Sequence, residues 1–547
     1  MPAKAKTRGA RSRCGVSAPV AFSCYNGSVI ERYEDESSED EHVSLEGLVI
    51  VWLAQQDVVA YLVGGCVRDR LLGRPVCDLD VAVDGDGLAL ARRLANRFQG
   101  AYYPLDEARS TGRAILCAEG GQRLVVDVAR FRGPGLTADL ADRDFTVNAL
   151  AADVHVPDGV IDHHNGLADL DSGLIRPVSE VSIRSDPLRA LRAVRLAAEL
   201  DFALTPETEA LIQRDGTALA HVSGERIRDE LARLLALPHA APHLHQLDGL
   251  GLLTIIFPEL EPSRGLKQPP PHHLGVLAHS LETVRALEAL LDGLREDSDS
   301  QFSKFPISQF AEQLQAHLDQ VMGKTRPRLV TLKLAALLHD TGKPAVRTVD
   351  DKGRARFIAH EKKGAKLVGG ALRRVRLTNA EVRLGEAIVR HHMRPLLLAR
   401  KKSVSSRAVY RFFRDTGVAG VDVLLHALAD HRATYVPNAE DDRWPRLVAL
   451  VARMLADYWE RRAERVAPPP LVNGHDLLRE FGLQPGPHIG ELLEAVREAQ
   501  VGGEVRTREE ALALVRVTLA EKSRYVSPLL RLRESDPDRI PCCPKLT

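Results

Sequence analysis

Gly64-Gly65-Cys66-Val67-Arg68-Asp69, then Gly73-Arg74, then Asp78-Leu79-Asp80, is the stretch on which the fold of this 547-residue chain turns. It joins a glycine turn, a cation and two carboxylates two positions apart. On a strand, residues i and i+2 project from the same face, so Asp78 and Asp80 would point together, as a pair of metal ligands must. Glycines let backbone N–H groups come close to an anion, and Arg68 adds a positive charge beside them. Carboxylates that hold metal next to a phosphate cradle point to nucleotidyl transfer.

Outward from this stretch, the pattern alternates helix and strand between Leu48 and about Ala152. Val58–Val63 reads as a short buried strand, Asp80–Val83 continues the carboxylate-bearing strand, and Leu88–Phe98 has helical periodicity. Ala114–Cys117 and Leu124–Val128 read as further strands. From Pro187 onward the sequence reads as helix almost throughout, with Pro269-Pro270-Pro271 and Pro468-Pro469-Pro470 marking boundaries. Residues 1–45 combine low hydrophobicity with an acidic run and read as a disordered tail, as do 531–547. The Ser- and Asp-rich segment Glu296–Ser308 reads as a loop insertion.

Lysine plus arginine (74) balances aspartate plus glutamate (74), so any nucleic-acid partner must be met by local patches. No apolar run approaches ~18 residues, which argues against a membrane span. The seven cysteines, Cys14, Cys24, Cys66, Cys77, Cys117, Cys542 and Cys543, form no C-x-x-C at zinc spacing; scattered thiols of this kind fit a reducing cytoplasm.

Three more blocks follow in order: Asp139-Leu140-Ala141-Asp142-Arg143-Asp144-Phe145-Thr146-Val147-Asn148, Ile161–Leu170, and Ser185-Asp186-Pro187-Leu188-Arg189-Ala190-Leu191-Arg192-Ala193-Val194-Arg195. Pro187 suits a first helical turn, and arginines every third residue stay near one helix face. Alone, that row would read as a charged face paired with acids. Together with Ser223-Gly224-Glu225-Arg226-Ile227-Arg228-Asp229-Glu230, the ordered blocks between Tyr61 and Glu230 resemble the class II tRNA nucleotidyltransferase and bacterial poly(A) polymerase family.

The resemblance implies an α+β protein: a polymerase-β-like nucleotidyltransferase head (46–170), followed by an all-helical neck (171–262), body (the HD domain, 270–435) and tail (436–530). By position, Asp78 and Asp80 match the Mg²⁺ ligands. Gly64, Gly65 and Arg68 match the triphosphate site, and Arg143, Asp186, Arg189, Arg192 and Arg195 the nucleotide-binding set. The implied partners are tRNA, CTP and ATP, with no DNA and no membrane, in the cytoplasm. Asp127, in an alternating strand pattern, is a candidate third catalytic carboxylate; a strand-end surface acid is the equal alternative. Cytosine and adenine both present an amino donor beside a ring-nitrogen acceptor, which a carboxylate (Asp186) and a guanidinium (Arg189) can read, while uracil and guanine present a carbonyl where the amino group would be. This separates C and A from U and G, but not C from A.

The chain departs from the family pattern in places. Asp142 stands where a first arginine is usual, Ser185 where an acid is usual, and His163-His164 are unusual in their block. The segment between the Asp127 strand and Asp139 is short. In this family a flexible loop there is implicated in moving from C to A addition, and its loss marks CC-adding members. CC addition is therefore expected, with full CCA addition, A addition and poly(A) synthesis as alternatives.

A second set, His279, His339-Asp340 and Asp430, each in helical context, has the order of an HD-domain metal site. His360, His391 and His392 could complete it. Imidazole plus carboxylate suits a divalent transition metal. The other readings are a degenerate HD scaffold or a metal-dependent phosphohydrolase. Lys401-Lys402, Arg407, Arg411 and Arg414, interleaved with Tyr410, Phe412 and Phe413, read either as phosphate contacts or as a solvated helix face. Asn473-Gly474-His475-Asp476 resembles the tail region of HD-containing members.

Overall fold

The computed structural model describes residues 44–117, 123–295, 306–323, 325–436 and 443–531. The insertion expected over Glu296–Ser308 and the tails over 1–45 and 531–547 lie almost wholly outside the described residues. Ser44, Leu45, Pro306, Ile307, Ser308 and Arg531 are the exceptions: the Ser44 hydroxyl accepts from Gly47 N (3.1 Å), Leu45 opens the first helix, Ser308 opens a 3-10 turn and Arg531 ends the last helix. The described chain divides into two compact units that meet at Leu170/Asp171.

The first unit has α1 (Leu45–Ala54), β1 (Ala60–Val63), α2 (Gly65–Leu71), β2 (Asp78–Val83), α3 (Gly87–Arg97), β3 (Ala101–Asp106), β4 (Thr111–Cys117), β5 (Arg123–Arg130), α4 (Leu136–Ala141), β6 (Leu150–Asp153), β7 (Val156–Asp162) and α5 (Gly166–Asp171). The seven strands form one mixed sheet, ordered β3-β4-β5-β2-β1-β6-β7. Only β2 and β5 are parallel, and their register sets Asp80 directly across from Asp127. The inward residues Leu79, Val81, Val83, Val126 and Val128 join Leu90, Ala91 and Leu94 of α3 in one core. Alternation therefore leaves the carboxylates of β2 and β5 on the other face of the sheet. β3 and β7, which carry weak periodicity and exposed residues, and the short buried β6 were not legible as strands.

Among its described residues, the second unit is helical apart from three two-stranded pairs. Its first part runs α6 (Ser182–Ser185), α7 (Leu188–Leu200), α8 (Pro206–Asp215), α9 (Gly224–Ala236), α10 (Ala241–Gly249) and α11 (Leu253–Ile256). Then come α12 (Val276–Arg295), α13 (Ala311–Leu318), α14 (Arg328–Leu338), α15 (Lys343–Val346), α16 (His360–Arg374), α17 (Asn379–His391), α18 (Met393–Ala399), α19 (Ser406–Thr416) and α20 (Gly420–Thr434). The chain continues through α21 (Arg443–Trp459), α22 (Arg462–Arg465), α23 (Gly474–Phe481), α24 (Pro487–Gly502) and α25 (Arg508–Arg531). α14 and α20 are buried almost all round, as helices at the centre of a bundle are. The last helices close a separate small core around Leu477, Leu492, Val496 and Val515.

Candidate functional site

β1 delivers the chain to Gly64, whose φ of 78° and ψ of −133° suit glycine. Its N–H donates to Leu150 O (3.0 Å), which ties the turn to β6. The missing Cβ matters as much: a β-carbon here would lie 2.6 Å from Arg143 Nη1 and 3.5 Å from Asp80 Oδ2. Gly64 thus lets Arg143 reach the carboxylate face. Arg143 is aimed by Asp139, whose Oδ2 accepts from its Nε (3.3 Å) and Nη2 (3.1 Å).

Asp80 stands between Asp127 on the neighbouring strand and Asp78 two residues before it. Burial pushes its carboxyl up to about 6; Arg143 pulls against this, while Asp127 and Asp78 add to it. A carboxylate that is hard to ionise among other carboxylates is a site where a divalent cation fits: the ion would supply the positive charge the side chains lack. Asp127 is not a strand-end surface acid. It is held in a fork by Arg113, Nε to Oδ1 and Nη2 to Oδ2, both 2.7 Å. Arg113 lies opposite Asp127 in the β4–β5 register, a neighbour that sequence spacing could not reveal.

Arg68 is buried, and its guanidinium is spent on local partners. Nε and Nη2 donate to Asp69 (2.9 Å each), and Nη1 donates to Asn148. Beside it, Cys66 is buried, and burial pushes its thiol up to about 12, which leaves it inert.

The departure beside Arg143 becomes intelligible here. Asp142, in the usual place of an arginine, meets Arg132 (3.4 Å). Asp139 Oδ1 accepts the Arg132 N–H (3.1 Å). Only Phe131-Arg132-Gly133-Pro134-Gly135 separates β5 from α4, and two aspartates pin that connector.

In the second unit, Asp186 accepts from Arg226 Nη2 (2.7 Å) and from Leu188 N (3.3 Å). Burial would raise its carboxyl, but Arg226 outweighs this and holds it below the usual range. Arg189 Nη1 donates to Ser182 O (3.3 Å), Ser182 Oγ (3.1 Å) and Ser185 Oγ (3.3 Å). Ser185 thus meets, as a neutral acceptor, the arginine that an acid would have met. Arg192 and Arg195 do not form an open row: Arg192 Nε donates to Glu230 Oε1 (2.9 Å), and Arg195 reaches both Glu230 and Glu199. At 4 % exposure, Arg195 sits in the α7–α9 seam rather than on a surface a nucleotide could reach. Burial would raise the Glu230 carboxyl, but Arg195 and Arg192 override it.

The HD residues converge. His279 Nε2 is 2.9 Å from Asp430 Oδ1 and 3.9 Å from Asp340 Oδ2. His339 Nε2 is 3.2 Å from Asp340 and 3.8 Å from Asp430. His360 Nε2 lies 3.4 Å from Asp340 Oδ1 and 3.2 Å from His392 Nε2. Three overlapping trios, His279–His339–Asp340, His339–His392–Asp430 and Asp340–His360–His392, each offer donor atoms within 4.8 Å of one another. Burial would raise the Asp340 carboxyl, but His339 and Lys343 outweigh this and hold it well below the carboxylate range, while burial holds the His392 imidazole down at about 3. Anionic carboxylate with the neutral His392 imidazole is a ligating state, whereas at His339 burial is outweighed by Asp340 and Asp430, which favour its proton. His391, the other expected contributor, is half-buried beside Arg394 and Asp415, outside the cluster. Sequence reading missed Lys343, which donates to Asp340, and His272 and His426, which stack edge-on to cluster imidazoles.

α19, read above either as phosphate contacts or as a solvated helix face, turns its arginines to carboxylates and its aromatics to the core. Arg407 pairs with Glu504, Arg411 with Glu498, and Arg414 with Glu494 and Asp415, while Tyr410, Phe412 and Phe413 are buried. These arginines fasten α19 to α24 and the segment after it. Asp476 completes a reciprocal cap with Asn473 (3.0 Å each way), which accounts for the His475-Asp476 pair as a helix start.

Comparison with known proteins agrees with these features. A family model described as "Poly A polymerase head domain" matches residues 60–176, one described as "HD domain" matches 276–412, and a tRNA nucleotidyltransferase domain 2 matches 467–515. The chain is 37% identical over 463 residues to the A-adding tRNA nucleotidyltransferase of Deinococcus radiodurans, covering 83% of this chain and 94% of that protein. It is 35% identical over 468 residues to the CC-adding tRNA nucleotidyltransferase of Geobacter sulfurreducens, covering 85% and 94%. Its fold is similar to that of the Thermotoga maritima CCA-adding enzyme complexed with tRNA: TM-score 0.54, 22% identity, 88% of this chain and 97% of that one. With head and HD domains in this order and relatives matched along nearly their whole length, the chain belongs to the class II tRNA nucleotidyltransferase and poly(A) polymerase family, the CCA-adding enzymes.

Proposed function

We propose that this chain adds the two C residues of the tRNA CCA end from CTP, in the cytoplasm, and leaves the final A to a second enzyme. The short, doubly pinned Phe131–Gly135 connector carries this reading. A segment held by Asp139 and Asp142 has little freedom to readjust the pocket for a larger base. A CC-adding relative at 35% identity supports it. The 37% identical A-adding relative favours A addition as the second reading.

In this proposal Asp78, Asp80 and Asp127 hold Mg²⁺, with Arg113 fixing the third carboxylate. Ions held there would supply a lowered pKa to the RNA 3′-hydroxyl and charge neutralisation to the leaving pyrophosphate. Arg143 meets the triphosphate from beside Gly64. Gly65 opens α2 behind the turn, and Arg68 braces it through Asp69 and Asn148. Asp186 accepts from the cytosine amino group and Arg189 donates to its ring nitrogen; Arg192 and Arg195 stiffen this helix through Glu230.

The purified chain is given tRNA lacking its 3′ end, with CTP, ATP or both. The expected product carries two C residues even with both nucleotides present. Full CCA or a single A on tRNA ending in CC refutes CC addition, and incorporation by Asp78→Ala at the wild-type rate refutes the assigned carboxylates.

The HD cluster is proposed as a divalent transition-metal centre with His279, His339, Asp340 and Asp430 as ligands and His360 and His392 completing it, able to support phosphohydrolysis. Loss of bound metal in His339→Ala is the required result.

A further inference from the structure

His426 lies on α20 four residues before Asp430, so the two side chains leave the helix on one face. Its ring is fully buried, with its centroid 4.9 Å from that of His339 and 5.6 Å from that of His392. The other cluster imidazoles are anchored through Nδ1 on a main-chain carbonyl: His279 on Ala433 (3.4 Å), His339 on Ala336 (2.8 Å), His360 on Phe357 (2.9 Å) and His392 on Val389 (2.7 Å). That arrangement turns Nε2 inward, as metal-ligating histidines do. His426 differs: among the described residues, neither of its ring nitrogens has a hydrogen-bond partner. Each unmade hydrogen bond on a buried polar atom is costly, and leucine would fill an apolar position without that cost. The trio of donors that includes Asp430 consists of Asp430 with His339 and His392. His426 shares a helix with its carboxylate and stacks on both of its imidazoles.

Resting on the metal-centre reading of the HD cluster, we propose that His426 is a positioning residue of that centre: it hydrogen-bonds an oxygen ligand, water or phosphoryl oxygen, on a divalent ion held by His339, His392 and Asp430. A buried imidazole with a free nitrogen can donate to or accept from such an oxygen, which phenylalanine or leucine cannot.

The test uses the full chain in an Asp78→Ala, Asp80→Ala background, so that the head does not contribute to the metal count. Mn²⁺ binding is titrated by the loss of the free-ion EPR signal, with and without inorganic phosphate. His426→Leu is expected to weaken Mn²⁺ about 10- to 100-fold, the usual scale for residues around a metal's direct ligands. The melting temperature of the metal-free variant should be unchanged or raised, because an unpaired polar group is gone. A deficit present without phosphate identifies the oxygen as water; one that appears only with phosphate identifies a phosphoryl oxygen. His426→Asn, which keeps a donor and an acceptor, should bind closer to wild type than His426→Phe, and this comparison decides the matter if the leucine variant does not fold. Wild-type Mn²⁺ affinity in both the Leu and Phe variants, in both arms, overturns the role of His426 alone. No Mn²⁺ bound by the His426-intact protein overturns the metal-centre reading and this inference with it.

Discussion

Replacing Gly64 with alanine tests how the head is built. Two penalties are separable. The first is conformational: φ 78°, ψ −133° is a region that an L-residue enters at roughly 1–3 kcal/mol. The second is steric: the new Cβ would stand 2.6 Å from Arg143 Nη1, a guanidinium that Asp139 holds in place. Restoring van der Waals separation moves that guanidinium by on the order of 1 Å, and a misplacement of that size can cost about 100-fold in rate. Gly64→Ala is therefore expected to lower the melting temperature by ~2–4 °C per kcal/mol of strain and kcat/KM for CTP incorporation by about two orders of magnitude. Gly65→Ala is the control: its Cβ would meet only Arg68 Nη2, at an ordinary 3.5 Å, so stability should stay within about 0.5 kcal/mol. Adding Arg143→Ala to Gly64→Ala removes the clash but not the strain, so the double variant should be no less active than Arg143→Ala alone while keeping the thermal loss. Wild-type activity in Gly64→Ala, or equal damage from Gly65→Ala, refutes the reasoning.

Because burial and the neighbouring carboxylates push Asp80 up to about 6, the metal-free folded state holds that proton more tightly than the unfolded chain. The group's contribution to stability is full below about pH 4 and is lost as the pH rises through about 6. Asp80→Asn should gain roughly 2–3 kcal/mol on wild type between pH 4.5 and 7 in urea unfolding, and Mg²⁺ should narrow that gap by stabilising wild type alone; a constant difference across this range contradicts it. Glu230→Ala leaves the guanidiniums of Arg192 and Arg195 without their shared carboxylate and should cost about 3–5 kcal/mol by urea unfolding; a loss under 1 kcal/mol would show that the seam does not depend on it. Arg411→Ala with Arg414→Ala should leave the salt dependence of tRNA binding unchanged, because both guanidiniums are committed to Glu494 and Glu498. A shallower salt slope would show that they touch phosphate.

The order of the blocks from Gly64 to Glu230, the same-face spacing of Asp78 and Asp80, and the HD series His279, His339-Asp340, Asp430 were all legible in the sequence. Each is carried by local geometry or by residue identity in order, and both survive without coordinates. Strands β3, β6 and β7 were not legible, because their burial depends on neighbours rather than on their own periodicity.

Tertiary structure decided which charges are available. Arg68, Arg192, Arg195, Arg407, Arg411 and Arg414 look alike in a sequence, since a guanidinium is cationic everywhere. Whether it is spent depends on carboxylates that lie far away in the chain, such as Glu230 against Arg195 or Glu498 against Arg411. Strand register set Arg113 against Asp127, and helix packing gathered His392 and His426 around His339, and His360 against His392, while leaving His391 outside. The sequence by itself determined the chemistry on offer. Only the fold decided which groups are free to use it, because pairing and burial depend on distance in space, and separation along the chain does not fix that distance.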